Sequence, residues 1–300
     1  SAPSNVDAYN VAIGYSSGSS VTTGTGNVGI GGLAISAAST GNNNTAVGFQ
    51  ASRYMTTASN TTAIGYLAGG GLGGTTVMTG NDNTLVGASA GLKITTGTSN
   101  VAVGSGALDA NTTANDNTAI GYNALGVNTT GVSNSVLGAY ALDGNTTGAN
   151  NVAVGRAALG VNSTASNNTA VGYNALTANT TGVSNTAIGQ GAGGAITTGS
   201  KNTIIGGYNG NQSGLDIRTA SNYVVLSDGA GYPNAYWRNS VINIPFNVFT
   251  TFFTIPTTEM GVYTIVIGLD NQTTSDWCAY AVIKSRGSPA VFITNSGSTN

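Results

Sequence analysis

The chain has 300 residues, including 46 glycines, only 6% charged residues and a formal net charge of −2. The absence of histidine removes the commonest general base and metal ligand, and the weak negative charge does not favour a nucleic-acid partner. No apolar run approaches the ~18 residues of a membrane-spanning helix, so we expect no membrane insertion.

A repeat of 17 residues fills the first two-thirds of the chain and occurs twelve times. Each copy begins with an anchor residue, counted here as position 0. One step, from Thr61 to Asn83, is 22 residues long and indicates a loop inserted at a corner. A short fixed period means that one small unit stacks on copies of itself. The anchors are Asn10, Asn27, Asn44, Thr61, Asn83, Asn100, Asn117, Asn134, Asn151, Asn168, Asn185 and Asn202.

The residue types within one repeat predict strands and tight corners. Position 1 is β-branched in eleven copies, position 3 is always Val, Ile or Leu, and position 4 is always Gly. A β-branched triplet closed by glycine predicts a short strand, and the usual Thr-Thr pair at positions 12 and 13 predicts a second one. We therefore predict an all-β chain, with a parallel β-solenoid or β-roll of about twelve rungs. At ~4.8 Å per rung the rod would be on the order of 58 Å long.

Two columns of identical residues should run along this rod. The anchor amides can bond to the rungs above and below, and the glycines supply a corner conformation that other residues resist. Asn-Thr-Thr sequences such as Asn111-Thr112-Thr113 and Asn128-Thr129-Thr130 are interpreted as turn and ladder residues, not glycan sites. The residues taken to define the repeat are Asn117, Gly121, Asn134, Gly138, Asn151, Gly155, Asn168 and Gly172.

Alternation along the strand suggests contacts with sister chains. Position 3 faces one way and position 2 the other. Since position 3 is large and apolar, we expect it to fill the inside of the rung. Position 2 is mostly alanine, as at Ala46 and Ala119. We expect it on an outer face that is buried against other copies, which predicts a homo-oligomer, most simply a homotrimer.

The chain changes character after Gly206. Residues 1–206 form the predicted shaft, 207–240 a turn-rich neck, and 241–300 a small antiparallel, β-sandwich-like tip in which aromatic residues concentrate. The predicted strands are Tyr223–Leu226, Val241–Ile244, Val248–Ile255, Val262–Leu269, Cys278–Lys284 and Ala290–Thr294.

Four aromatic residues beyond the repeats are candidates for receptor binding. Tyr232, Tyr236, Trp237 and Trp277 stand next to Gly, Pro, Asn and Ser, as residues that flank turns do. Aromatic faces beside loops are typical of surfaces that contact carbohydrate or protein. Packing within the tip is the alternative role for each of them.

Catalytic chemistry is weakly represented. Asp109 and Asp143 share position 9 two rungs apart, on the order of 10 Å, near the wide carboxylate spacing of inverting glycosidases. No third polar residue joins them in the pattern, so we expect two solvated corner residues. We predict no catalytic residue, no metal and no cofactor.

The run Asn-Thr-Ala-Ile-Gly-Tyr-Asn-Ala-Leu at 117–125, echoed at 168–176, resembles the head repeats of trimeric autotransporter adhesins. The same repeat class occurs in bacteriophage tail fibres. The resemblance implies a parallel β-roll in which three chains interlock, although the period here is longer than in those heads. The segment 222–238 resembles a neck element of phage fibres.

The leading hypothesis is therefore a trimeric phage tail fibre in the virion. Its shaft would present a C-terminal tip to a host surface glycan or protein, and other tail proteins would be its remaining partners. The mechanism would be adhesion, with three identical tips multiplying weak contacts. The alternatives are a bacterial cell-surface adhesin head, and a glycan-cleaving tailspike that uses Asp109 and Asp143.

Overall fold

The structure is a computed structural model that describes residues 9–71 and 77–238, together with the backbones of four strands between residues 241 and 296. The described residues are all-β, with no helix. Each repeat contributes one strand of three residues, formed by positions 1 to 3. These strands are β1 Val11–Ile13, β2 Val28–Ile30, β3 Thr45–Val47, β4 Thr62–Ile64, β5 Thr84–Val86, β6 Val101–Val103, β7 Thr118–Ile120, β8 Ser135–Leu137, β9 Val152–Val154, β10 Thr169–Val171, β11 Thr186–Ile188 and β12 Thr203–Ile205.

The twelve strands stack in parallel and in register, so every position pairs with the same position of the next repeat. Ala119 of β7, for example, pairs with Val136 of β8. The long repeat does not disturb this register, because Thr62 of β4 still pairs with Thr84 of β5. The predicted parallel β-solenoid of about twelve turns is confirmed.

The second strand predicted at the Thr-Thr pairs is wrong. Thr95 does donate from its backbone N–H and its hydroxyl to the carbonyl of Thr112 one rung on, at 2.9 and 3.0 Å. The chain turns two residues later, because the carbonyl at position 14 accepts side-chain bonds from interior amides. The carbonyl of Gly148 accepts from Nδ2 of Asn134 at 3.0 Å and from Nδ2 of Asn145 at 2.9 Å. Cross-rung bonding is therefore too brief there to form a strand.

The predicted orientation of the strands is also wrong, and the reason is the narrowness of the rung. Position 2 points inward, and alanines such as Ala46 and Ala119 are completely buried. Position 3 points outward. The inward side chain lies against position 8 of the same rung: a methyl group added to Gly29 would lie 2.6 Å from Cγ1 of Ile35. Only a small residue fits opposite a large one in so thin an interior.

In several rungs the residues at positions 2 and 8 complement each other in size. Four rungs pair alanine at position 2 with leucine at position 8, as in Ala119 and Leu125. The fifth rung reverses the order, with Leu85 at position 2 and Gly91 at position 8. A methyl group on Gly91 would lie 2.6 Å from Cδ2 of Leu85. In these rungs a large residue at one of the two positions faces a small residue at the other.

The anchor asparagines form the predicted ladder inside the solenoid. Oδ1 of Asn117 accepts from the backbone N–H of Asn134 at 3.0 Å and from its Nδ2 at 3.1 Å. Both residues are completely buried. Each amide therefore satisfies groups of its neighbours that water cannot reach, and this ladder is confirmed.

A second amide ladder occupies position 11 of five successive rungs. From the second asparagine onward, each Nδ2 donates to Oδ1 of the preceding asparagine at 2.9 to 3.1 Å. The interpretation of Asn111 and Asn128 as ladder residues is confirmed. The ladder stops where Ile196 takes position 11, which leaves Oδ1 of Asn179 without a hydrogen-bond partner among the described residues. Its members are Asn111, Asn128, Asn145, Asn162 and Asn179.

The glycines at position 4 let successive rungs approach closely. Their φ angles lie between +111° and +146°, where a side chain is strained. A methyl group on Gly121 would also lie 2.6 Å from the carbonyl carbon of Gly138 in the next rung. The column of glycines is therefore required by contact as well as by conformation.

The sheet continues into the neck. After a short hairpin of β13 Asn211–Gln212 and β14 Leu215–Asp216, β15 Tyr223–Ser227 adds to β12 in parallel. β16 Pro233–Arg238 and β17 Val241–Asn243 then follow antiparallel. β16 was not predicted: Tyr236 and Trp237 were expected beside a turn and lie within this strand. The periodic pattern is too short there to separate a strand from its turns.

A separate antiparallel sheet of three strands lies near the C-terminus. It consists of β18 Gly261–Tyr263, β19 Cys278–Lys284 and β20 Val291–Ser296. The predicted strand Cys278–Lys284 is confirmed. The predicted strand Val248–Ile255 and most of Val262–Leu269 lie outside the described residues.

Gly121→Ala should destabilise the solenoid strongly. The new methyl group would meet the backbone of the next rung and would carry an unfavourable φ of +139°. We expect a loss of at least ~3 kcal/mol in the free energy of unfolding. Gly191→Ala is the matched control, since its φ is +67° but no atom lies within 4 Å of the added methyl. That variant should lose about 1 kcal/mol. Equal losses in chemical denaturation would show that contact between rungs does not matter.

Asn145→Leu should destabilise the solenoid more than Asn179→Leu. The first removes the donor to Oδ1 of Asn128 and the acceptor of Nδ2 of Asn162. We expect a loss of about 2–4 kcal/mol. The second substitution removes only the donor to Oδ1 of Asn162. The acceptor that it also removes, Oδ1 of Asn179, receives no hydrogen bond from the described residues. A loss smaller by about 1–2 kcal/mol is expected. Thermal and urea unfolding of both variants measure the difference, and a larger loss at Asn179 would contradict the ladder.

Candidate functional site

The outer face of the solenoid sheet carries an unbroken column of large apolar side chains at position 3. They stand one per rung and are half-buried or exposed, with Leu137 exposed by 51%. We call this set the apolar column. It continues beyond the repeats to Leu226 of β15, which pairs with Ile205. Its members are Ile13, Ile30, Val47, Ile64, Val86, Val103, Ile120, Leu137, Val154, Val171, Ile188 and Ile205.

Position 1 lies on the same face and widens this column to a strip. It holds only Thr, Val or Ser in the twelve repeats, and it is half-buried in most of them. No charged residue occurs at position 1 or position 3 of any repeat. Contiguous apolar surface of this extent is rare on a monomer and marks surfaces that contact another molecule.

Sequence reasoning missed the apolar column because it placed position 3 inside the rung. The period-2 alternation was ambiguous, since positions 2 and 3 are both apolar. Residue size was the signal that could have resolved it. A rung of 17 residues encloses little space, and position 2 is small wherever position 8 is leucine except at Val136, which stands opposite Leu142.

Three of the four candidate receptor-binding residues lie in or beside β16. Tyr232 is 62% exposed in the turn that precedes it, where its backbone N–H donates to Oδ1 of Asp228 at 2.9 Å. Tyr236 and Trp237 are neighbours in the strand and are both half-buried. Tyr236 packs against the core, while Trp237 pairs with Val224 and Ile242. Trp277 lies outside the described residues.

Adjacent positions of a strand point to opposite faces, so Tyr236 and Trp237 do not form one aromatic surface. Tyr232 is the candidate that the structure leaves most accessible. A receptor-binding role for these residues remains a prediction.

Asp109 and Asp143 are half-buried, where solvated carboxylates were expected. They stand in one column with Gly126 between them, and a methyl group on Gly126 would lie 3.1 Å from Oδ1 of Asp143. Burial raises the pKa of both carboxyl groups, although the ammonium of Lys93 opposes this effect at Asp109. Oδ1 of Asp109 is buried without a hydrogen-bond partner among the described residues. Desolvation beside the inward-turning leucines of position 8 explains these raised pKa values.

Two further features of the described residues concern metals and membranes. Within 9–71, 77–238 and the later strands, no three His, Cys, Asp or Glu side chains come together as a metal site. The same part of the chain contains no helix of the length and hydropathy that a bilayer crossing requires.

Comparisons of the chain with protein-family models, with curated proteins and with solved structures found no match. The apolar column is therefore interpreted from its own geometry and composition.

Proposed function

We propose that the protein is a homotrimeric adhesive fibre of a bacteriophage tail, in which the solenoid is the shaft and the C-terminal segment contacts a host surface glycan or protein. The observation that carries the proposal is the apolar column. It is uniform over twelve rungs and points away from the core of its own chain.

A second copy of this chain is the occupant that fits the column best. The column is unbroken, has the period of the rungs and carries no charge, and an identical chain in register offers the same features at the same height. Isologous or cyclic contacts between copies are the usual way in which proteins bury such a surface. Each strand is only three residues long and presents two outward side chains, so the face is narrow enough for three copies to close around one axis with their position 3 side chains meeting there.

Trimerisation would serve the adhesive role in two ways. It buries the apolar column, which would otherwise promote non-specific association. It also places three identical tips at one end of a stiff rod, where weak contacts with a repetitive surface combine into avidity. The resemblance of residues 117–125 to repeats of phage fibres and bacterial adhesins supports an extracellular setting, in the virion or on a cell surface.

Leu137→Glu should convert the trimer into single chains that remain folded. Around a threefold axis the substitution places three carboxylates in one layer of an apolar interface, where like charges repel and are desolvated. Sedimentation equilibrium should show the mass fall to one third, while circular dichroism stays unchanged. Val161→Glu is the matched control, because Val161 is equally exposed, at 52%, but lies at position 10 outside the column. It should leave the trimer intact.

Either of two results would contradict this interface. The unaltered protein could sediment as a single chain, or Val161→Glu could dissociate the assembly as completely as Leu137→Glu does.

The biological setting is tested by immunogold electron microscopy of the source culture, with an antibody against residues 241–300. Gold at the ends of thin fibres on virions is the expected result and would identify the distal end. Gold on the cell envelope would favour a bacterial adhesin over a phage fibre. Label confined to the cell interior would overturn both.

A further inference from the structure

Four exposed side chains form a second surface strip on the shaft, one on each of four successive rungs. They are Tyr122, Tyr140, Arg156 and Tyr173, and the three tyrosines are exposed by 38% to 49%. The rings of Tyr122 and Tyr140 meet edge to face, with centroids 5.2 Å apart. The guanidinium carbon of Arg156 lies 6.0 Å from the ring centroid of Tyr140 and 5.9 Å from that of Tyr173. We call this set the aromatic strip.

The aromatic strip is not required by the fold. Its residues occupy position 5, or position 6 in the case of Tyr140, which follows an alanine at position 5. Elsewhere position 5 holds residues as different as Gly32, Ser105 and Gln190. A side chain that filled a core or a continuous packed interface could not vary in this way, whereas the apolar column does not vary. The aromatic strip therefore belongs to a surface that is open to solvent.

Arg156 gives this surface its chemical character. The chain has only eight lysines and arginines, and a cation between two tyrosine rings is held by their π-electron density. Among the described residues the single ion pair joins Arg218 and Asp216, so no carboxylate there neutralises Arg156. The planar guanidinium is oriented by the rings, and its N–H groups can bind a carboxylate or sulfate group in a bidentate manner.

We propose that the aromatic strip binds an extended acidic polysaccharide. The ring faces suit the apolar faces of sugars, the phenol hydroxyls can bond to sugar hydroxyls, and Arg156 suits one acidic substituent. Three rung steps of ~4.8 Å make the strip roughly 14 Å long, an extended shape that fits a chain of several sugars better than a compact ligand.

Single-stranded nucleic acid also stacks on aromatic side chains, but it is the less suitable ligand. Such ligands carry a charge on every nucleotide and are bound by grooves rich in cations. The strip has one cation, and the whole chain has a net charge of −2. One positive group among three rings matches a sparsely charged polymer.

This binding surface goes beyond the proposed function, because it lies on the shaft and depends neither on a tip nor on a particular number of chains. The binding proposal can therefore be refuted while the proposed fibre function is retained. It can also be supported if the fibre is a cell-surface adhesin.

The test is isothermal titration calorimetry of the full chain with three probes: a hyaluronan oligosaccharide, which has one carboxylate per disaccharide, a κ-carrageenan oligosaccharide, which has one sulfate per disaccharide, and neutral dextran. We expect binding to at least one acidic probe, which weakens as salt is raised, and none to dextran. The first two probes distinguish a carboxylate ligand from a sulfate ligand. Arg156→Gln and Tyr173→Ala should each weaken binding at least about tenfold, the effect of losing a charged or aromatic anchor. Arg156→Lys keeps the positive charge but loses the planar, bidentate donor geometry, and it should give an intermediate affinity.

Tyr66→Ala is the matched control. Tyr66 is an exposed aromatic at position 5 that stacks on Phe49, with ring centroids 6.1 Å apart and no guanidinium of the described residues over either ring. Its loss should leave binding unchanged, and circular dichroism should confirm that every variant is folded. The proposal is overturned if no acidic probe binds, if dextran binds equally well, if Arg156→Gln has no effect, or if Tyr66→Ala weakens binding as much as Tyr173→Ala.

Discussion

The narrow interior of the rung is the constraint on which the rest of the structure depends. Seventeen residues enclose room for only one or two large apolar side chains, their small partners and a few amides. Polar groups that face inward must therefore bond to each other. The two asparagine ladders meet this requirement: the carbonyl of Gly148 accepts from both Asn134 and Asn145. Stacking of identical rungs provides each amide with a partner above and below.

The same constraint explains the outer surface. Because the interior accepts only alanine at most copies of position 2, the β-branched and leucine side chains of position 3 have to lie outside. A strip of uncharged apolar residues on the outside is unfavourable for an isolated chain in water. The composition of the interior and the proposed association of copies are thus consequences of one limit on volume.

Much of this fold could be predicted from the sequence, because the same residue types recur at the same positions in twelve repeats. The column of Asn117 and its equivalents and the corner glycines such as Gly121 follow from that regularity. Which face is inside could not be read from alternation, since alanine and isoleucine are both apolar, and only the volume of the closed rung decides it. β16 was missed because it occurs once. Oδ1 of Asn179 has no hydrogen-bond partner among the described residues because the next rung carries Ile196 at the same position.

Variation among the repeats distinguishes the positions needed for stacking from those available for ligand binding. Positions 0, 3 and 4 are nearly invariant because each of them contacts the same position of the next rung or, as proposed, of another chain. At position 5 no such contact is required: Arg156 meets Tyr173 of the next rung, but other rungs carry glycine or serine at this position. Tyr122, Arg156 and Tyr173 stand at this variable position. A binding surface can be acquired at such positions without disturbing the ladder beneath it. Its rigidity comes from the invariant positions, so the rings and the guanidinium are held at the spacing of the rungs before any ligand binds.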